Sequence, residues 1–174
     1  AQPDGLLPHI LFWERERHMH VMEQQTLRLR GPYFSASIQP PVIAVAVERV
    51  YRATGDDEFL AQTLPPVRAF FQWLRDNRDP DGDGLIAIVQ PDESGVDASP
   101  KYDPLLNYPR NNEELVVAIN AIYDRYTHVE GGEHAFIAAD VFVVEDVLVN
   151  SIYAQGLQAL GRLCPEPDAS AYRA

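Results

Sequence analysis

One cysteine, Cys164, in 174 residues excludes an intramolecular disulfide and a structural zinc site built from cysteines. Lysine is equally scarce, Lys101 being the only one, and 14 basic residues face 26 acidic ones for a net charge of −12. A chain of that sign repels phosphate backbones and offers no polybasic face to an anionic bilayer, so neither nucleic acid nor a membrane surface is an expected partner. No uninterrupted apolar run approaches the ~18 residues of a membrane span. No GxSxG, P-loop or GxGxxG occurs, which leaves serine hydrolase, kinase and dinucleotide-binding readings without an anchor, and no cofactor is expected. The opening AQPDGLLPHI has neither Met nor the charged n-region of a secretory signal, so a processed chain or a piece of a longer one is expected. A single cysteine leaves the compartment undecided, and the cytoplasm is the working expectation.

What is present argues for a packed protein. Hydrophobic residues make up 46% of the chain, with 7 Phe, 8 Tyr and 2 Trp, and the length suits a single domain over residues 1–174. In 39–54, Val42, Ile43, Ala46, Val47, Val50 and Tyr51 fall on one helical stripe, with Pro40 and Pro41 in its first turn, Gly55 as its stop and Asp56 as a cap for the next helix. A second helical block, 56–77, carries Phe59, Leu60, Leu64, Val67, Phe70, Phe71 and Leu74, and Pro65-Pro66 is expected to break or restart it. A third opens at Asn112-Glu113-Glu114 and carries Leu115, Ile119, Ile122, Tyr123 and Tyr126. A fourth is expected from about Ala138 to Leu163, apolar nearly all round in VFVVEDVLVNSIYA. The class is all-α, with short strands only near Leu85 to Gln90. Residues 12–31 fit a helix face or a long loop equally well.

Between the second and third blocks lies DPDGDGLIAIVQPDESGVDASPKYDP, residues 79–104. Asp79, Asp81, Asp83 and Gly84 match the start of an EF-hand loop, but Gln90 stands where a bidentate Glu belongs, so a tight turn is the better reading. The rest is too apolar for a disordered linker, and long ordered loops are commonly functional. Glu93, Asp97 and Asp103, with Gly95 and small neighbours to let the backbone bend around a ligand, could divide acid and base duties in glycosidic hydrolysis; capped turns and solvated charge are the competing reading. His9, His18, His20, His128 and His134 would make a metal centre only by converging, and none is expected. Trp73 is expected in the core; Trp13 could be a sugar platform.

Longer motifs carry a resemblance. GDGLIAIVQPDESGVDASPKYD is similar to the GDGL…WESGxDNSPRWD segment of glycoside hydrolase family 63, and DGLLPHILF to its GxLPH segment. SIQPPVIAVAVERVYRATGDDEFL and FVVEDVLVNSIYAQGLQALGRL resemble two further stretches of that family, in the same order. Mannosylglycerate and glucosylglycerate hydrolases look nearest. The resemblance implies part of an (α/α)6 toroid of helical hairpins, and an inverting glycosidase acting on a small carbohydrate. Asp97 falls on the general acid, while His9, Gln39, Glu93, Lys101, Tyr102 and Asp103 fall where members shape the sugar pocket, with Trp13 beside the LPH segment. Three departures stand out: Asp92 replaces the Trp before ESG, Lys101 the Arg of SPR, and Ala98 the Asn after the acid. The family's general base lies beyond Ala174, and four or five helices are counted where a toroid has twelve. The expectation is about half a barrel, completed by its remainder or by a second copy of the chain; nothing in the family pattern makes Glu145 or Asp146 a base. The reading from another class is a non-catalytic helical module that binds a sugar or a protein.

Overall fold

The structure, a computed structural model, describes residues 2–14, 34–165 and 172. The ambiguous segment 12–31 thus falls mostly outside the described residues, as do His18 and His20. Regular structure among the described residues is helical, as the all-α expectation required: α1 (Ile43–Thr54), α2 (Asp57–Arg78), α3 (Asn112–Tyr126), α4 (Glu133–Ala138) and α5 (Val147–Leu163), with 3₁₀ turns at Pro91–Ser94 and Pro100–Tyr102. Strand-like pairing among them is confined to two isolated bridges, Leu11 with Phe34 and Ile88 with Val144. No helix among them is long and apolar enough to cross a membrane.

The chain divides into two compact units. One combines Ala1–Leu7, Pro40–Ile86 and Glu145–Ala174, and so holds α1, α2 and α5 packed on one another. Gly55 ends α1 in the left-handed region at φ 64°, and its N–H reaches the Tyr51 carbonyl. Asp56 then caps α2, its carboxylate accepting from the Phe59 N–H at 2.9 Å. The prolines depart from expectation twice. Pro40 and Pro41 precede α1 rather than forming its first turn, since the helix begins at Ile43. Pro65 and Pro66 lie inside α2, which runs unbroken for 22 residues. Each proline orphans a carbonyl one turn back, at Ala61 and Gln62, and both those residues are exposed, so water can take up the acceptors.

The buried face of α1 is Ala44, Val47 and Glu48, while Val42 and Val50 of the expected stripe stay 58% and 44% exposed. Glu48 is buried because a guanidinium meets it: Arg162 of α5 donates from Nε at 2.5 Å and Nη2 at 2.8 Å, and Arg52 adds a contact at 2.7 Å. Gly156 of α5 faces Phe71 of α2, where a Cβ would stand 2.6 Å from ring atom Cε1. The Phe71 ring in turn stacks on Tyr153 at 5.6 Å.

The helix expected from about Ala138 to Leu163 begins only at Val147, and residues 139–146 are not helical. Asp140 takes φ 48°, Val144 pairs with Ile88, and Asp146 starts α5 by accepting from the Leu148 and Val149 N–H groups. The β-branched run before Asp146 favours extended backbone, and an unbroken apolar run reads alike in a buried helix and a buried extended segment. Residues 79–84 form the expected tight turn. Asp79 accepts from Gly82 and Gly84, Asp83 from Leu85, and both glycines have positive φ.

The other unit joins Pro8–Gln39 to Ala87–Val144 and holds α3, α4 and both 3₁₀ turns. Asn111 caps α3, one residue before the expected opening, by accepting from the Glu114 N–H. The apolar stripe of α3 is buried at Ile119, Ile122, Tyr123 and Tyr126. Tyr126 spends its hydroxyl on the Phe142 backbone, donating to the carbonyl at 3.2 Å, while Phe142 meets Tyr102 edge to face at 5.4 Å.

Candidate functional site

The ESG turn is held from its centre. Glu93 is fully buried, and its two carboxylate oxygens accept from separate stretches of backbone: Ile38 N–H at 3.0 Å and Val89 N–H at 2.8 Å. A carboxylate fixed by two backbone donors ties residue 38 to the start of the turn. Next to it, Gln39 donates from Nε2 to the Asp92 carbonyl at 3.1 Å. The Ser94 hydroxyl donates to the Pro91 carbonyl, and Gly95 closes the 3₁₀ turn at φ 70°. Asp97 follows at once in a turn closed by the Ser99 N–H on the Val96 carbonyl, with its side chain exposed.

Asp92 pairs with α3. It is half-buried, and Tyr123 of α3 donates its hydroxyl to Oδ2. Burial, then the charges of Asp97 and Glu93, push the Asp92 carboxyl up to about 6. Three acids therefore gather within electrostatic reach, and one of them holds a proton at mildly acid pH. His9 joins them. Its N–H bonds the Ser37 carbonyl, its ring lies within the fields of Glu93 and Asp97, and desolvation outweighs those charges to hold its pKa below the ordinary value.

The remaining residues named from sequence spread around this turn. Tyr102 is buried, with the Lys101 ammonium 4.9 Å from its ring centroid, a cation–π contact. Asp103 is half-buried, and its carbonyl accepts from Leu106 and Tyr108. Trp13 is 85% exposed. His9, Gln39, Glu93 and Asp97 are thus brought together with Asp92, while Trp13 has its ring in solvent. Sequence reasoning missed Asp92 as a site group, noting it only as a lost Trp, and took Tyr123 as core alone. The available signal was the phenol itself, because a tyrosine buried on a helix stripe needs a partner for its hydroxyl.

Other chemistry lies in the unit of α1, α2 and α5. Asp79, Asp81 and Asp83 bring ligand oxygens within 4.8 Å of one another, the only such group among the described residues. Burial, then the charges of Asp83, Asp81 and Asp79, raise the Glu145 pKa. A cavity of about 220 Å³ lined by Ile43, Val47, Pro66, Val67 and Phe70, among others, contains no titratable side chain.

Comparison with known proteins gives the family and the fold. The chain is 38% identical over 117 residues to a mannosylglycerate hydrolase of Thermus thermophilus, covering 63% of this chain and 28% of that protein. It is 31% identical over 170 residues to a mannosylglycerate hydrolase of Rubrobacter radiotolerans, covering 80% and 38% respectively. The crystal structure of a family 63 mannosylglycerate hydrolase from Thermus thermophilus, in complex with Tris and D-glycerate, superposes with a TM-score of 0.83 at 26% identity. That match covers 99% of this chain and 48% of the other, so the chain spans about half the solved structure and less of the curated relatives. The fold is that of part of a family 63 (α/α) toroid. With the profile of the mannosylglycerate hydrolase MGH1-like glycoside hydrolase domain matching residues 1–173, the chain belongs to that family.

Proposed function

We propose that residues 1–174 are one segment of the catalytic domain of an inverting glycoside hydrolase. It acts in the cytoplasm on a small α-mannoside or α-glucoside such as mannosyl- or glucosylglycerate. The observation that carries the reading is the pinned turn: Glu93 fixes the loop through two backbone N–H groups, and Asp97 stands exposed at its end beside Asp92 and His9. An acid that protonates a glycosidic oxygen has to be rigidly placed yet reachable, and that arrangement supplies both.

In this mechanism Asp97 gives its proton to the leaving oxygen as the bond to the anomeric carbon breaks. A water attacks from the opposite face and passes its proton to a second carboxylate, about 6.5–9.5 Å from the first, the separation that inversion needs. That base lies outside residues 1–174 and comes from the remainder of the barrel. His9, kept neutral near pH 7, has one N–H and one lone pair for sugar hydroxyls, and Gln39, Lys101, Tyr102 and Asp103 wall the pocket, with Trp13 at its margin. Glu93 shapes the pocket through its backbone contacts.

The test is release of reducing sugar from α-mannosides, α-glucosides and their glycerate conjugates by residues 1–174 together with the remainder of the barrel, in parallel with Asp97→Asn. Turnover in the parent and a loss of about 10²–10⁴-fold in the variant is the expected result. Turnover that survives Asp97→Asn removes Asp97 as the acid. Sugar binding without turnover in either protein favours a non-catalytic carbohydrate-binding module.

A further inference from the structure

The Asp92 side chain has one oxygen fixed and one open. Oδ2 accepts from the Tyr123 hydroxyl, on a helix whose buried face leaves Tyr123 only 3% exposed. Oδ1 accepts no hydrogen bond from the described residues, and the side chain is half-buried, so that oxygen is reachable from solvent. The backbone here is constrained as well: Gln39 Nε2 and the Gly95 N–H donate to the Asp92 carbonyl, and the side chain of the next residue, Glu93, accepts from the Ile38 and Val89 N–H groups. The charged neighbours are Glu93, Asp97 and, beyond them, His9. With carboxylates on two sides, the ligand group that fits Oδ1 is a neutral hydroxyl, and an anion is repelled.

We propose that Asp92, braced by Tyr123, is a specificity-determining residue that hydrogen-bonds one sugar hydroxyl through Oδ1. The inference rests on the sugar-site reading above and adds a residue to it. A braced acceptor has already lost its rotamer freedom before the ligand arrives, so it discriminates more sharply than a mobile one. Its elevated pKa lets the group donate in mild acid and accept at neutral pH, and a hydroxyl can answer either form.

Calorimetric titration of the 174-residue chain with methyl α-mannoside, methyl α-glucoside and each monodeoxy derivative tests this. In the parent, one deoxy derivative is expected to bind about 10–100-fold more weakly than its parent sugar, the loss of one hydrogen bond to a charged group. In Asp92→Ala that ratio should fall to about one while the other ratios are unchanged, and Tyr123→Phe should narrow it without erasing it. Asp92→Asn keeps the shape and an acceptor for Tyr123, so a reduced but persistent ratio there separates lost recognition from lost folding. A ratio that stays intact in Asp92→Ala overturns the inference and leaves the sugar site standing. A parent protein that binds none of the sugars overturns both.

Discussion

Replacing Glu93 by glutamine asks how much of the pocket depends on one buried carboxylate. In the native chain Oε1 takes the Ile38 N–H at 3.0 Å and Oε2 the Val89 N–H at 2.8 Å, in a side chain with no exposed surface. Glutamine keeps one acceptor and turns an NH2 toward the other N–H, so one backbone donor is left buried without a partner, at about 1–3 kcal/mol. The surviving bond also falls from the charged range to the neutral one, a further ~1 kcal/mol. The expected loss is therefore about 2–4 kcal/mol, or roughly 4–16 °C in Tm for a domain of this size. Urea and thermal unfolding followed by far-UV circular dichroism measure it. Because both donors belong to the site's backbone, sugar affinity should fall alongside. A Tm shift below about 1 °C would refute the reasoning, since it would mean that both N–H groups find equivalent acceptors without the carboxylate.

Three further outcomes follow from the packing and the charges. Gly156→Ala gains about 1 kcal/mol of helix propensity, but its Cβ meets the buried Phe71 ring, and overpacking of about 1–3 kcal/mol should leave the variant less stable in thermal melts. The Arg162 hydrogen bonds hold the Glu48 pKa below its ordinary 4.5, so their stabilisation is present above that value and lost as pH falls through the lower, folded one. Arg162→Met, which leaves Arg52 as the nearby cation, should flatten the acid limb of a stability–pH curve, and an unchanged limb would count against the pair. Asp92 has the opposite sign. Its pKa rises from 3.8 to about 6, so the fold is favoured by protonation, and that contribution is complete below about pH 4 and gone once pH has risen through about 6. Asp92→Asn should therefore gain on the parent between those limits in urea midpoints, and parallel curves would contradict the burial of this carboxyl.

The helices α1, α2 and α3 were legible because their signals are local: Gly55 for a left-handed stop, Asp56 for a cap, and apolar stripes with a 3.6-residue period. Two local rules were overruled by surroundings that a sequence does not display. Pro65-Pro66 reads as a break, yet the acceptors it orphans sit at exposed residues. The run before Asp146 reads as helix because composition cannot tell a buried extended segment from a buried helix, and only Ile88, more than fifty residues earlier, decides it. In the site, the ESG turn and Asp97 were visible through the motif. The Asp92–Tyr123 contact was not, because the two residues belong to different elements and each has an ordinary explanation alone.

The stretch Ile86-Ala87-Ile88-Val89 is fully buried, uncharged and rich in β-branched residues, the composition of a segment prone to form amyloid-like ladders. A sheet would satisfy such a strand along both edges. Here the partners come singly: the Asn150 side chain both accepts from and donates to the backbone of Ile86, Val144 exchanges two bonds with Ile88, and Glu93 takes the N–H of Val89. Each partner is thus also a guard against intermolecular pairing. Substitutions at Asn150 or Glu93 should reveal themselves first as insoluble protein at expression, ahead of any effect on catalysis, and variants of this chain selected for solubility should leave both side chains alone.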